Sequence, residues 1–227
     1  MAPEESLQIE VGLPGGPVAV PAAWGAAEAA RATVIVAHGA GAGMDHPFLT
    51  GFAAALREAR FATLRFDFPY RAQGRRMPGP AAHAIATWNA VVAAARSRGA
   101  EAPIWAAGKS YGGRMASMAV AEGMAVAGLI HLGYPLHPPG KPEKPRAAHL
   151  PAIAVPQLFI EGTNDPFIQP LEQFAEAIAA CQDATVEWID GGGHSFEVKG
   201  RKRPAEEIGA SLALRAAGFM AARPRPL

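Results

Sequence analysis

Three residues of the types that together catalyse acyl transfer stand far apart in the chain, in the order Ser110, Asp165 and His194. A neutral serine hydroxyl is a poor nucleophile, so it needs a base that takes its proton during attack and passes it to the leaving group. Histidine can act as that base near neutral pH, and a carboxylate can fix its tautomer and stabilise the imidazolium. The residue types predict Ser110 as nucleophile, His194 as base and Asp165 as acid, provided that the fold brings them together.

Ser110 occupies the centre of Gly108-Lys-Ser-Tyr-Gly112, a G-x-S-x-G sequence. The apolar residues 104–107 before it indicate a short buried strand, and apolar residues from Met115 onward recur at helical spacing. A strand, a sharp turn and a helix in this order hold the serine in strained backbone geometry, with its hydroxyl above the sheet edge. A side chain two residues before or after it would collide with the neighbouring strand or helix, which accounts for Gly108 and Gly112.

Two other interpretations of this stretch lead to different conclusions. Gly108-Lys109-Ser110 matches the end of a phosphate-binding loop, but that motif requires a glycine where this chain has Pro103. It also requires residues 104–107 to form a loop, whereas their side chains favour a strand. The second alternative is a glycine-rich turn without chemistry, which stands unless a base and an acid lie at the same place in the fold.

The elements that must position these residues alternate between strands and helices. Apolar runs predict buried strands at residues 33–37, 61–66, 104–107, 126–132, 156–160 and 184–189. Apolar residues at helical spacing predict helices at residues 47–60, 81–98, after Ser110, at 170–181 and at 206–222. This alternation predicts an α/β fold, with a mostly parallel central sheet and helices on both faces.

Three further regions complete the predicted architecture. Residues 7–11 and 18–20 indicate short antiparallel strands at one edge, and the alanine-rich residues 22–31 indicate a connection. Residues 133–154 are too irregular and proline-rich for a helical lid. Because ligands bind beyond the carboxyl ends of parallel strands, we expect a site where Ser110, Asp165 and His194 follow their strands.

The order serine, acid, histidine and the turn around Ser110 resemble the α/β-hydrolase superfamily over nearly the whole chain. Three stretches, Gly-Lys-Ser-Tyr-Gly-Gly-Arg, Gly-Tyr-Pro-Leu-His-Pro-Pro-Gly-Lys-Pro and Gly-Thr-Asn-Asp-Pro-Phe, look like a smaller branch. It comprises small dienelactone-hydrolase-like proteins related to testis-expressed protein thirty and to the hydrolase-like domain of a nonspecific-lethal acetyltransferase-complex subunit. Dienelactone hydrolases proper use cysteine where this chain has Ser110.

The resemblance implies a serine hydrolase that cleaves a small ester or related acyl bond through an acyl-enzyme. It also implies an oxyanion hole formed by the backbone N–H groups of Tyr111 and Ala40, the latter in the glycine-rich loop after His38.

The competing acid, Asp190, lies close to His194 in sequence and is expected to tether its own loop. A catalytically silent scaffold for protein partners is the alternative function.

Length, net charge and composition limit the number of domains, the kind of partner and the location of the protein. The 227 residues fit one domain, residues 1–227, and a net charge of +1 does not suggest nucleic acid or membrane as a partner. The first residues lack signal-peptide features, no apolar run could span a bilayer, and Cys181 is the only cysteine. These features predict a cytoplasmic protein and leave the oligomeric state open.

Neither a metal nor a cofactor is expected, because the spacing of the remaining histidines favours no metal site; they are His46, His83, His131, His137 and His149. Basic residues are concentrated in loops at the predicted site, and the residues selected as substrate contacts are Lys109, Arg71, Arg75 and Arg76. Lys141, Lys144, Arg146 and Arg114 add to the same charge. The hypothesis is a preference for esters bearing a carboxylate or phosphate; solvated loop charges without a target are the alternative.

Overall fold

The computed structural model describes residues 3–99 and 103–223, and its strands form one eight-stranded sheet in the order β1-β2-β4-β3-β5-β6-β7-β8. The strands are β1 (Glu5–Val11), β2 (Val18–Gly25), β3 (Ala32–Ala37), β4 (Phe61–Phe66), β5 (Ile104–Lys109), β6 (Gly128–Leu132), β7 (Gln157–Gly162) and β8 (Ala184–Ile189). From β4 through β3 to β8 all neighbours pair in parallel, whereas β1 pairs with β2, and β2 with β4, in antiparallel register.

Helices cover both faces of the sheet, which explains why β3, β4 and β7 are buried along their whole length. The helices are α1 (Pro47–Glu58), α2 (Pro69–Ala72), α3 (Ala81–Ser97), α4 (Tyr111–Ala121), α5 (Leu171–Ala179) and α6 (Ala205–Ala221). One apolar core contains Phe52 of α1 and Leu212 of α6; the other contains Trp88 of α3, Met115 of α4 and Phe174 of α5. The predicted fold class is confirmed.

Two details of the sequence-based assignment were wrong. Residues 22–25 belong to β2 rather than to a connection, and Trp24 pairs with Leu64 of β4. Alanine has low β propensity, so the local sequence does not indicate this strand; pairing with β1 and β4 on its two sides stabilises it. The segment between the predicted strand 61–66 and the predicted helix 81–98 contains the short helix α2, which the sequence-based assignment omits and which begins at Pro69.

The connection between β6 and β7 carries no helical lid, as predicted. Its only regular element is a single 3₁₀ turn at Leu150–Ala152. The parallel strands therefore end at an uncovered edge, where the loops after β3, β5, β7 and β8 meet. None of the helices within residues 3–99 and 103–223 combines the length and hydropathy that a membrane crossing requires.

Candidate active site

The turn between β5 and α4 holds Ser110 in a conformation that L-residues rarely adopt. Its φ is +48° and its ψ is −112°, and its N–H donates to the Leu132 carbonyl of the adjacent strand at 3.0 Å. A Cβ on Gly108 would lie 2.1 Å from the Gly113 nitrogen, and one on Gly112 would lie 2.6 Å from the His38 oxygen. Both glycines are therefore required sterically, as the sequence predicted, and the strained turn presents the Ser110 side chain at the sheet edge.

The loops after β5, β7 and β8 bring the three predicted residues into direct contact. Nε2 of His194 lies 2.8 Å from Oγ of Ser110, and Nδ1 lies 2.6 Å from Oδ2 of Asp165. A carboxylate can only accept, so the contact with Asp165 assigns the imidazole proton to Nδ1 and leaves Nε2 to accept from the serine hydroxyl. This is the protonation pattern that a general base requires.

Asp165 is fixed by a second hydrogen bond within its own loop. The side chain is fully buried, and Oδ1 accepts from the Phe167 N–H at 2.8 Å while Oδ2 faces His194. The competing acid, Asp190, is exposed and makes no side-chain contact with His194 in the described residues. Burial and directed hydrogen bonds are the properties expected of the residue that orients the imidazole.

Sequence reasoning did not identify the contribution of Phe167. Its ring stacks on the His194 imidazole with centroids 4.0 Å apart and an interplanar angle of 27°. The ring therefore restricts imidazole rotation from one face. The only signal for this role is that Phe167 follows Asp165-Pro166 directly, and an aromatic residue at that position has no distinctive periodicity.

The two predicted oxyanion donors come from different elements that border the same cavity as Ser110. Tyr111 is the first residue of α4, so its N–H has no partner within the helix, and Ala40 lies in the loop after β3. Both residues line the cavity that contains Ser110, and neither N–H donates to an acceptor within the described residues. Their assignment as the oxyanion hole stays a prediction.

His38 joins two loops at the edge of the sheet through hydrogen bonds of its ring. Its ring is fully buried; Nδ1 lies 2.8 Å from the Gly39 carbonyl, and Nε2 accepts from the Phe68 N–H at 3.2 Å. Burial lowers its pKa below 6.5. The ring therefore ties the loop that carries Ala40 to the loop after β4.

The cavity above Ser110 has a volume of about 640 Å³ and opens to solvent. Two arginines, Arg114 of α4 and Arg146 of the β6–β7 connection, contribute to its wall. The predicted contacts Arg71, Arg75 and Arg76 do not line it: Arg71 lies against the Gly43 loop, Arg75 lines a separate cavity of about 220 Å³, and Arg76 is exposed. The arginine charge near Ser110 therefore comes from Arg114 and Arg146, which the sequence placed in the same basic group, and not from Arg71, Arg75 or Arg76.

Lys109 borders the cavity with part of its side chain, but its ammonium group points elsewhere. Nζ donates to the backbone carbonyl of His194 at 2.7 Å. This hydrogen bond uses one of the three N–H donors of the ammonium group, and the predicted contact with substrate stays a prediction. Within the described residues no group of three or more histidine, cysteine or carboxylate side chains could hold a metal ion.

Electrostatics favour the basic form of His194 at neutral pH. Burial lowers its pKa from 6.5; the hydrogen bond to Asp165 opposes this shift, and the positive charge of Lys109 adds to it. The neutral imidazole therefore predominates at pH 7, and protonation disables it only in more acidic solution.

We expect kcat/KM to fall as the pH drops through a midpoint below 6.5, because the protonated imidazole cannot accept the serine proton. A profile measured with an ester that is stable from about pH 4 to about pH 8 checks this expectation. A His194→Ala variant should lose the acid limb together with most activity. A flat profile, or the same limb in that variant, would assign the titration to another group.

Residues 30–221 match the family model described as an alpha/beta hydrolase domain. The chain belongs to this family, whose match spans all the elements that position Ser110, Asp165 and His194. This match confirms the resemblance to the α/β-hydrolase superfamily, whereas the resemblance to the smaller branch stays a prediction.

Solved structures share the fold at low sequence identity. A dienelactone hydrolase from Anabaena variabilis is 20% identical, with a TM-score of 0.76 and coverage of 99% of this chain and 100% of that chain. An α/β serine hydrolase without a lid, from Xanthomonas campestris, is 22% identical, with a TM-score of 0.69 and coverage of 95% and 96%. The esterase Est1E from Butyrivibrio proteoclasticus, solved with ferulic acid, is 16% identical, with a TM-score of 0.74 and coverage of 95% and 100%.

Proposed function

We propose that the chain, as a single domain, is a serine hydrolase that cleaves a small ester or related acyl bond. The observation that supports it most directly is the unbroken series of contacts from Ser110 Oγ through His194 to Asp165, at 2.8 and 2.6 Å. Hydrolysis of an activated acetyl ester by the purified protein, lost on removal of the Ser110 hydroxyl, tests the proposal.

The geometry suggests two half-reactions. Ser110 Oγ attacks the ester carbonyl carbon while His194 Nε2 takes its proton, and the N–H groups of Tyr111 and Ala40 stabilise the developing oxyanion. The intermediate collapses, the alcohol leaves with the proton from His194, and an acyl-enzyme remains. Water then attacks with the same base, and the carboxylic acid is released as Ser110 regains its proton.

The finer assignments also stay proposals. The three motifs support placement in the dienelactone-hydrolase-like branch related to testis-expressed protein thirty, and the sequence favours a cytoplasmic location. The alternative of a silent scaffold for protein partners is disfavoured, because a scaffold has no need for a buried Asp165 aligned on His194. Absence of any hydrolysis in a folded wild-type protein would favour that alternative.

We expect short acyl groups to be preferred over chains longer than about ten carbons, because no lid covers the cavity and a long chain would stay in water. Each buried methylene contributes about 0.8 kcal/mol, which an open site does not provide beyond its own walls. Comparison of kcat/KM for a series of esters with one leaving group checks this. Rising activity through that length, or activation at a lipid interface, would refute the expectation.

The side chains of Arg114 and Arg146 favour an ester substrate that carries a negatively charged group. Neither guanidinium forms an ion pair within the described residues, and Nε of Arg114 is buried without a hydrogen-bond partner there. Burial, with a further contribution from Arg146, lowers the pKa of Arg114. Glu197 also lines the cavity but is exposed and pairs with neither arginine. A substrate carboxylate or phosphate would satisfy these unpaired donors.

We expect Arg114→Met to lower kcat/KM for a carboxylated ester by about 10- to 100-fold while changing a neutral ester of equal size little, because charge-assisted hydrogen bonds contribute about 1.5–3 kcal/mol. Arg75→Met is the matched control, since Arg75 lies outside the cavity. The preference should weaken at high salt. Equal rates for both esters in the wild type at low salt would remove the anionic substrate from the proposal.

A further inference from the structure

Lys109 precedes the nucleophile in the strained turn, and its side chain reaches into the space behind His194. Nζ donates to the His194 carbonyl at 2.7 Å and lies 5.4 Å from the centroid of the Phe196 ring. A Cβ on Gly133 would lie 3.1 Å from this Nζ and 3.2 Å from the same carbonyl. The contact therefore occupies a fitted space between the ends of β5 and β6 and the loop after β8.

The surroundings of this ammonium group are unusual for a lysine. Lys109 is half-buried, and its ammonium group forms no ion pair within 4 Å among the described residues; Asp165 and Glu161 act on it only over longer distances. Burial lowers the pKa of Lys109 to about 8, although both carboxyl groups oppose that shift. Burial of a charge is costly, and an apolar side chain would avoid the cost, so the contact with His194 requires a functional explanation.

Glu161 of β7 is a further buried ionisable group near Lys109. It is fully buried; Oε1 accepts from the Tyr134 N–H at 2.6 Å, and Oε2 has no partner in the described residues. Burial raises its pKa well above 4.5. The groups that face Lys109 are thus Glu161 and Asp165 from β7 and the loop that follows it, and the carbonyl of His194 from the loop after β8.

We propose that Lys109 is a positioning residue, which anchors the His194 peptide so that the imidazole spans Asp165 and Ser110. The positive charge of Lys109 also acts on this imidazole and favours its neutral form. The inference rests on the proposed serine hydrolase. Two sets of contacts hold the same residue: the ammonium group of Lys109 fixes the backbone of His194, while Asp165 and Phe167 fix its ring. The Lys109 stem also passes the oxyanion loop, since a Cβ on Gly39 would lie 3.6 Å from its Cγ.

Lys109→Met keeps the length of the side chain and removes both the donor and the charge. We expect kcat for an acetyl ester to fall by about 10- to 100-fold with little change in KM, because small displacements of a catalytic group have effects of this size. The acid limb of kcat/KM should also move to higher pH, because loss of the nearby cation makes imidazole protonation easier. Lys199→Met, an exposed lysine in the loop after β8, should change neither quantity.

Titration of the His194 imidazole by NMR separates this inference from the proposed function, because it needs no turnover. In Lys109→Met the midpoint should rise relative to wild type, whereas an unchanged midpoint would overturn the inference even if the protein hydrolyses esters. If Lys109→Met does not fold, titration of the Lys109 amine in the wild-type protein decides the matter. A midpoint near 8 supports a buried anchor, and the ordinary value of 10.5 contradicts it.

Discussion

Ser110→Ala should lower kcat for an activated acetyl ester by about 10⁴- to 10⁶-fold while the protein stays folded, because the variant loses the hydroxyl that we propose forms the acyl-enzyme. Alanine keeps the Cβ of serine, and the N–H that donates to Leu132 is unaffected. The strained turn is therefore retained without its hydroxyl. Steady-state hydrolysis, with circular dichroism and thermal unfolding to verify the fold, measures the effect.

Ser195→Ala is the matched control for this change, since Ser195 is exposed, lines the same cavity and lies next to His194. Its hydroxyl contacts neither His194 nor Asp165 in the described residues, so we expect activity within about twofold of wild type. Wild-type activity in Ser110→Ala, or equal losses in both variants, would show that the acyl group is carried elsewhere.

The second large effect is expected for Asp165→Asn, which should lower kcat by about 10⁴-fold. An asparagine amide can donate to Nδ1 of His194, which would place the imidazole proton on Nε2 and prevent that atom from accepting the serine proton. The change keeps the size of the side chain, so the buried position can accommodate it. The same acetyl ester assay measures the loss.

Asp190→Asn tests the rival acid with the same substitution. Asp190 is exposed, so its replacement should leave kcat near the wild-type value. If Asp190→Asn were the damaging change and Asp165→Asn were tolerated, the acid would be misassigned, and the 2.6 Å contact between His194 and Asp165 would have another role.

The positions of the three central residues could be predicted because each follows an apolar strand. Parallel strands end at the same edge of a sheet, so the run 104–107, the run 156–160 and the run 184–189 place Ser110, Asp165 and His194 together without knowledge of distances. The need for glycine at positions 108 and 112 could also be predicted, because the tight turn between a strand and a helix leaves no room for a Cβ.

The direction of long side chains could not be predicted in this way. Lys109 and Arg114 both flank Ser110, yet Lys109 turns inward to a backbone carbonyl and Arg114 lines the cavity. Strand and helix periodicity place a Cα on a face, but four or more rotatable bonds decide where the charge lies. The length of β2 was underestimated for a different reason. Its pairing with β1 and β4 outweighs the weak preference of its alanines for strand structure.

Labelling of the wild-type protein with a fluorophosphonate, followed by digestion and mass spectrometry, tests the central claim most directly. A serine activated by an adjacent base reacts with this probe, whereas unactivated hydroxyls do not. We predict one modified peptide, with the phosphonyl group on Ser110, and strongly slowed labelling in His194→Ala. Attachment to a different serine, or no labelling of folded protein, would contradict the assignment of Ser110 as an activated nucleophile.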